Sequence, residues 1–113
     1  MRVIHELKSW PEFFRQVVAG SRTHELRLND RDFNIGDVVR LREFDPGTDT
    51  YTGSECDAEI TSLTSADVPC AVSVDALNPD FCILSIRVTA VHHPYRARVR
   101  TRDPGSNSSA EAI

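Results

Sequence analysis

Residues 20–44, GSRTHELRLNDRDFNIGDVVRLREF, set the architecture of this chain. From Thr23 to Leu28 apolar and charged residues alternate, so in an extended segment His24, Leu26 and Leu28 share one face and Glu25 and Arg27 the other. Asn29-Asp30-Arg31-Asp32 forms a polar loop. Asn34-Ile35-Gly36-Asp37 carries turn chemistry and leads into a second extended segment, Val38 to Phe44. The stretch holds five arginines (Arg22, Arg27, Arg31, Arg40, Arg42), five carboxylates (Glu25, Asp30, Asp32, Asp37, Glu43) and two asparagines. That is more charge than a strand needs for solubility, and some of it is expected to face a pocket.

Upstream, Val3 to Leu7 reads as a first strand. Ser9 and Glu12 have capping-box spacing and Pro11 suits a first helical turn, so a helix is expected from there to Gly20. Trp10, Phe13, Phe14, Val17 and Val18 recur at three- and four-residue intervals as its apolar face. Gly20 supplies the left-handed residue that ends it. These aromatics are assigned to the helix-to-sheet core, with Trp10 or Phe14 as the candidates to reach a cleft as a stacking surface.

Downstream, Asp45-Pro46-Gly47 ends a strand and a further strand runs from Tyr51 to Leu63. Residues Ser65 to Asn78, with Pro69, read as a loop holding a short helical piece. Phe81 to about Val91 reads as the most buried strand. One helix and about five strands without βαβ alternation predict a small α+β domain over residues 1–91, its mostly antiparallel sheet curling toward a barrel.

A chain of 113 residues with net charge −4 is one domain's worth. Residues 1–90 carry 9 Lys and Arg against 15 Asp and Glu, and residues 91–113 carry 4 against 2, so the body is acidic and the tail basic. A polyanion would have to be met locally. In the tail, Arg96, Arg98, Arg100 and Arg102 alternate with smaller residues after Tyr95, a pattern suited to a phosphate backbone. The plainer reading of residues 92–113, a disordered solvated extension, is preferred. Cys56, Cys70 and Cys82 are an odd number without C-x-x-C spacing, which fits buried thiols in a reducing, cytoplasmic setting. No membrane segment and no metal site is expected, since the histidines (His5, His24, His92, His93) and cysteines lack zinc-type spacing. No cofactor loop and no Ser-His elbow is legible either.

The order of motifs is itself recognisable: HELK on a strand, a short aromatic helix, GSRTHELR, NDRDF, GDVVRLREF, YTG and a final FCILSI strand. It resembles the DUF3850 group, described as ASCH-like domains of the PUA-like superfamily, from Val3 to about Val88. The resemblance implies a PUA-like pseudo-barrel with one N-terminal helix and a cleft between helix and barrel that binds RNA or a modified nucleotide. In ASCH domains a G-x-K-x-x-E/x-x-R signature lines that cleft. It falls here on Gly20, Arg22, Glu25 and Arg27, with arginine in place of lysine at position 22. Related small amidohydrolases acting on acetylated cytidine use a lysine, a threonine and a glutamate, and the first two fall at Arg22 and Glu25, neither a match. Arginine stays protonated and is no proton acceptor, so a hydrolase would depend on Glu25 as base.

The candidate RNA- or nucleotide-binding residues are Lys8, Arg22, Glu25, Arg27, Arg31 and Arg42. Guanidinium forks hold phosphate oxygens in pairs and stack on base planes. Glu25 orients Arg27 or Arg22, or reads a base edge as an acceptor. The plainer alternative for the arginines is a solvated surface of weak ion pairs. Asn29, Asp30 and Asp32 are ordinary turn residues that can also accept, and His5 is expected at the core edge, bonded to backbone. The leading expectation is an RNA- or nucleotide-binding module. Its alternatives are a modified-nucleoside hydrolase and a protein-interaction module, and the whole reading requires Arg22, Arg27 and Arg42 to converge on one cavity.

Overall fold

The computed structural model describes residues 2–94. Five strands, β1 (Ile4–Ser9), β2 (His24–Leu28), β3 (Val38–Asp45), β4 (Thr50–Thr64) and β5 (Phe81–His92), form one sheet, with helices α1 (Pro11–Ala19) and α2 (Ser73–Ala76). The spatial order is β1-β3-β4-β5-β2. β1 runs parallel to β3, and every other pairing is antiparallel. The long strands β4 and β5 curl the sheet into a half-barrel, aided by register shifts at Asp57/Ala58 and Ile60/Ser62, where bulges increase the local twist.

Alternation fills the concave side. Leu7, Val39, Leu41, Cys56, Ala58, Ile60, Cys82, Leu84 and Ile86 point inward and meet Phe14 and Val17 of α1, with Phe33 sealing the same cluster. Burying Phe14 and Val17 contributes about 1.5–3 kcal/mol each and fixes α1 against β3 and β5. Gly20, at φ 82°, ends the helix as expected, and the N–H groups of Ser21 and Arg22 both return to the Gln16 carbonyl.

Several expectations change. Ser9 and Glu12 form no capping box: Trp10 is the N-cap without a side-chain cap bond, because Ser9 is still in β1, paired with Glu43 and turned inward. Only Phe14 of the three aromatics is core, while Trp10 and Phe13 are exposed. His5 bonds not to backbone but to Asp37, Nε2 to Oδ2 at 2.9 Å. Cys56 and Cys82 are buried, whereas Cys70 is exposed. Burial pushes the Cys56 thiol up to about 11. The last strand continues to His92, past the expected end near Val91, and the tail pattern from Tyr95 to Arg102 lies outside the described residues. No helix among them is long and apolar enough to cross a membrane.

Candidate functional site

β1 and β2 are the two edges of the half-barrel, and the seam between them is closed by side chains rather than by a ladder. Val38 N–H bonds to the Val3 carbonyl, so alternate residues of β1 turn their main-chain groups to β3 and the carbonyls of Glu6 and Lys8 face the opposite edge. Two guanidinium groups occupy that edge. Arg27 Nη2 donates to Lys8 O at 2.7 Å, and Arg31 Nη1 donates to Glu6 O at 2.7 Å. Arg27 is aimed by Glu25, whose Oε1 accepts from Arg27 Nε at 2.9 Å and stands 2.8 Å from Nη2.

This arrangement requires β2 to turn its charged face inward. Glu25 is 4% exposed while Leu26, its neighbour, is 55% exposed. The inner side of an edge strand meets the seam and the helix end instead of the apolar core, so charge is admitted there if it is paired.

Three depressions run along the seam, and Arg27 lines all of them. The first, about 300 Å³, lies between α1 and the strands and is lined by Lys8, Ser9, Trp10, Phe13, Arg22, Glu25, Leu26 and Arg27. The second, about 370 Å³, is lined by Glu6, Leu7, Lys8, Arg27, Arg31, Arg42 and Tyr51. The third, about 270 Å³, adds Leu28, Asp30 and Phe33 on the far side of Arg27. The expected single cavity shared by Arg22, Arg27 and Arg42 is thus divided. Arg22 and Arg27 share the first depression and Arg42 meets Arg27 in the second, because Arg42 belongs to the outer face of β3 and Arg22 comes just after the helix end.

The five cations are not equivalent. Arg27 and Arg31 are engaged at the seam. Arg42 donates to Glu55 at 3.1 Å and lies over the Tyr51 ring, 4.0 Å from its centroid. Arg40, outside the candidate set, is held by both oxygens of Asp57. Arg22 differs: it stacks on Phe13 at 4.9 Å, its Nε is buried without a hydrogen-bond partner, and Glu25 Oε2 is 3.9 Å away. Lys8 places its ammonium 4.3 Å from the Phe44 ring centroid and forms no ion pair among the described residues. Cations are attracted to ring faces in such pairs, but neither contact replaces a full hydrogen bond to an anion.

Sequence reasoning missed three polar features. Asp37 is buried and accepts from the N–H groups of Val3 and Asn34 as well as meeting His5, so it pins the turn before β3 to β1. Burial opposes its ionisation, but the His5 hydrogen bond, the two backbone N–H groups and the His5 charge hold its carboxyl below the ordinary value. Glu43 is fully buried, accepts from Thr52 Oγ1 at 2.7 Å, and leaves Oε2 without a partner. Ser54 Oγ lies 3.0 Å from His93 Nδ1, a serine–histidine pair where none was expected. The N-D/G turn signal around Asp37 was visible in the sequence; its pairing with His5, 32 residues away, was not. Among the described residues no three metal-ligating side chains come together.

The sequence profile of the family described as "Domain of unknown function (DUF3850)" matches residues 4–86. That span begins with β1, ends inside β5 and includes the whole seam. The chain is also similar to "Uncharacterized 12.9 kDa protein in GpA 3'region" of Escherichia phage P2, with 36% identity over 64 residues. The aligned part covers 57% of each of the two chains.

Proposed function

The chain belongs to the DUF3850 family, and on that footing we propose that it binds RNA or a nucleotide in the depression between α1 and the β1–β2 seam. The half-barrel, with its single parallel pair and its helix at the seam, is read as the PUA-like, ASCH-like architecture that the sequence resembles. A cytoplasmic setting accords with three unpaired thiols.

The observation that carries the reading is Arg22. A guanidinium with a buried, unpartnered Nε is costly to hold in place unless another group completes it. Its neighbours are of the kinds a nucleotide uses. Lys8 brings a second cation without a carboxylate partner among the described residues, Trp10 and Phe13 offer ring faces, and Glu25 presents an acceptor beside them. Arg27 serves by holding Glu25 and the seam, and Arg42 and Arg31 extend positive charge into the second depression. A locally cationic groove on an acidic body restricts polyanions to this one face.

The test is binding of RNA and of single nucleotides at several salt concentrations to the intact protein and to Arg22→Ala. Binding that weakens with salt and falls at least about tenfold in the variant supports the proposal. Absent binding, salt-independent binding or an unaffected variant overturns it. The hydrolase alternative assigns Glu25 as base. Since Glu25 Oε1 is taken by Arg27, the carboxylate is better suited to orientation than to proton abstraction, and turnover of acetylated cytidine that vanishes in Glu25→Gln would reverse that judgement.

A further inference from the structure

The first two depressions of the seam share Lys8 and Arg27 and have no other lining residue in common. The first holds two ring faces, Trp10 and Phe13, and sets the Arg22 guanidinium beside the Glu25 carboxylate, Nε to Oε2 at 3.9 Å. A donor and an acceptor next to stacking surfaces are what a base requires. The second gathers four cations, Lys8, Arg27, Arg31 and Arg42, around a single carboxylate, Glu6. Its chemistry suits anions.

Much of that cationic wall is open to a ligand. Register places Lys8 beside Arg42 in the parallel pairing of β1 with β3. The Lys8 ammonium lies over the Phe44 ring, and Arg42 gives Nε to Glu55 while both of its Nη groups donate to nothing among the described residues. Arg31 gives Nη1 to the Glu6 carbonyl, a neutral acceptor, and stands 3.8 Å from Asp30, so its charge is only loosely balanced.

The cations also stop abruptly. In the register of β3 with β4, Arg42 and Arg40 face Glu55 and Asp57, and the third depression adds Asp30, Leu28 and Phe33 but no further cation. A strand carrying one phosphate after another would soon meet carboxylates, whereas linked phosphates concentrated at one point would not. Size agrees with a compact ligand. The two depressions, about 300 and about 370 Å³, each lie at the lower end of the roughly 300–1,000 Å³ of ligand pockets, and a ligand spanning both falls near the middle.

Resting on the binding reading above, we infer that the second depression is the phosphate subsite of the first, which makes the ligand class a nucleoside di- or triphosphate. The base stacks in the first depression beside Arg22 and Glu25. Lys8, at the shared wall, meets the first phosphate. Arg31 and Arg42 hold the distal phosphates, since guanidinium forks take phosphate oxygens in pairs.

The experiment uses the full chain in metal-free buffer. It measures the affinities of the four common ribonucleosides, their monophosphates and triphosphates, inorganic triphosphate, and a single-stranded RNA of roughly ten nucleotides without terminal phosphates. For at least one base the triphosphate is expected to bind at least about tenfold tighter than the nucleoside and tighter than the RNA. Arg42→Gln and Lys8→Gln, as separate variants, should each lower the triphosphate-to-nucleoside ratio at least about threefold. Trp10→Ala, at a wall of the first depression alone, should weaken both ligands and keep their ratio. The inference is overturned by a ratio near one, by a ratio that either cation substitution leaves intact, or by a Trp10→Ala variant that binds both ligands as the parent does. Inorganic triphosphate binding as tightly as the nucleotide, or RNA binding more tightly than the triphosphate, also overturns it. Each of these results spares the broader binding reading, which its own Arg22→Ala test decides. Binding of neither nucleoside, nucleotide nor RNA overturns both.

Discussion

Arg27 Nη2 and the carbonyl oxygen of Lys8, 2.7 Å apart, join two edge strands that share no ladder. The same guanidinium is braced by Glu25, so one side chain, with Arg31 beside it, closes the half-barrel and also forms a wall of each of the three seam depressions. The fold and the proposed binding site therefore share this residue.

Replacing Arg27 with Ala is expected to cost about 2 kcal/mol, because it leaves Glu25 buried without its partner and Lys8 O open. Arg27→Lys should recover less than half of that, since an ammonium cannot span both acceptors as the fork does. Urea unfolding measures both. A Lys variant as stable as the parent would show that the seam does not depend on the fork.

Asp37 makes stability sensitive to acid. Its carboxyl is held below the ordinary value of 3.8 in the folded chain. The stabilisation it gives is therefore present above that ordinary value and is lost as pH falls through the lower folded value. Asp37→Asn should be less stable at neutral pH by about 2 kcal/mol and should lose less on acidification than the parent. Parallel pH profiles for the two proteins would exclude Asp37 as a source of the acid response.

Gly53→Ala should destabilise by about 1–3 kcal/mol. The backbone there has φ 95°, and the added Cβ meets Pro94. A double variant with Pro94→Gly separates the two costs. It relieves the contact and leaves the strain, so thermal unfolding should show partial recovery. Full recovery would mean that the left-handed backbone costs nothing.

Trp10 is the one tryptophan of the chain and is 50% exposed at the wall of the first depression. A base stacked there should quench its emission, and Trp10→Ala should weaken binding by about 1–3 kcal/mol. Because half of the residue is already exposed, the melting temperature should fall far less than for truncation of the buried Phe14. Saturable binding without any change in tryptophan emission would place the ligand elsewhere.

How far the chain could be read in advance differs from residue to residue. The strands from Val38 and Tyr51 were legible from apolar residues recurring between turn residues, and the strand from Phe81 from a continuous apolar run; that run misled on burial, since β5 alternates and exposes Ile83 and Val91 while β3 is the more buried strand. Gly20 as a helix end was legible because few other residues adopt its backbone. The capping box at Ser9 misled, since the local signal competes with strand pairing to Glu43. Trp10 and Phe13 misled because periodicity gives a face but not its width: the half-barrel covers Phe14 and Val17 and stops short of them. The pairing of Glu25 and Arg27 on one face came from alternation alone.

Written in the chain itself are the order and type of the elements, the family to which residues 4–86 belong, and the concentration of guanidinium groups around Thr23–Phe44. These are local or compositional properties, carried by spacing along the sequence. Which cations are engaged and which stand open was settled in three dimensions: Arg27 and Arg31 cap main-chain carbonyls of β1, Arg42 belongs to the outer face, and Arg22 and Lys8 lack carboxylate hydrogen bonds. That outcome depends on how the sheet curls and on which strands become its edges. Such pairings join residues 19 and 25 positions apart, and no periodicity along the chain records them.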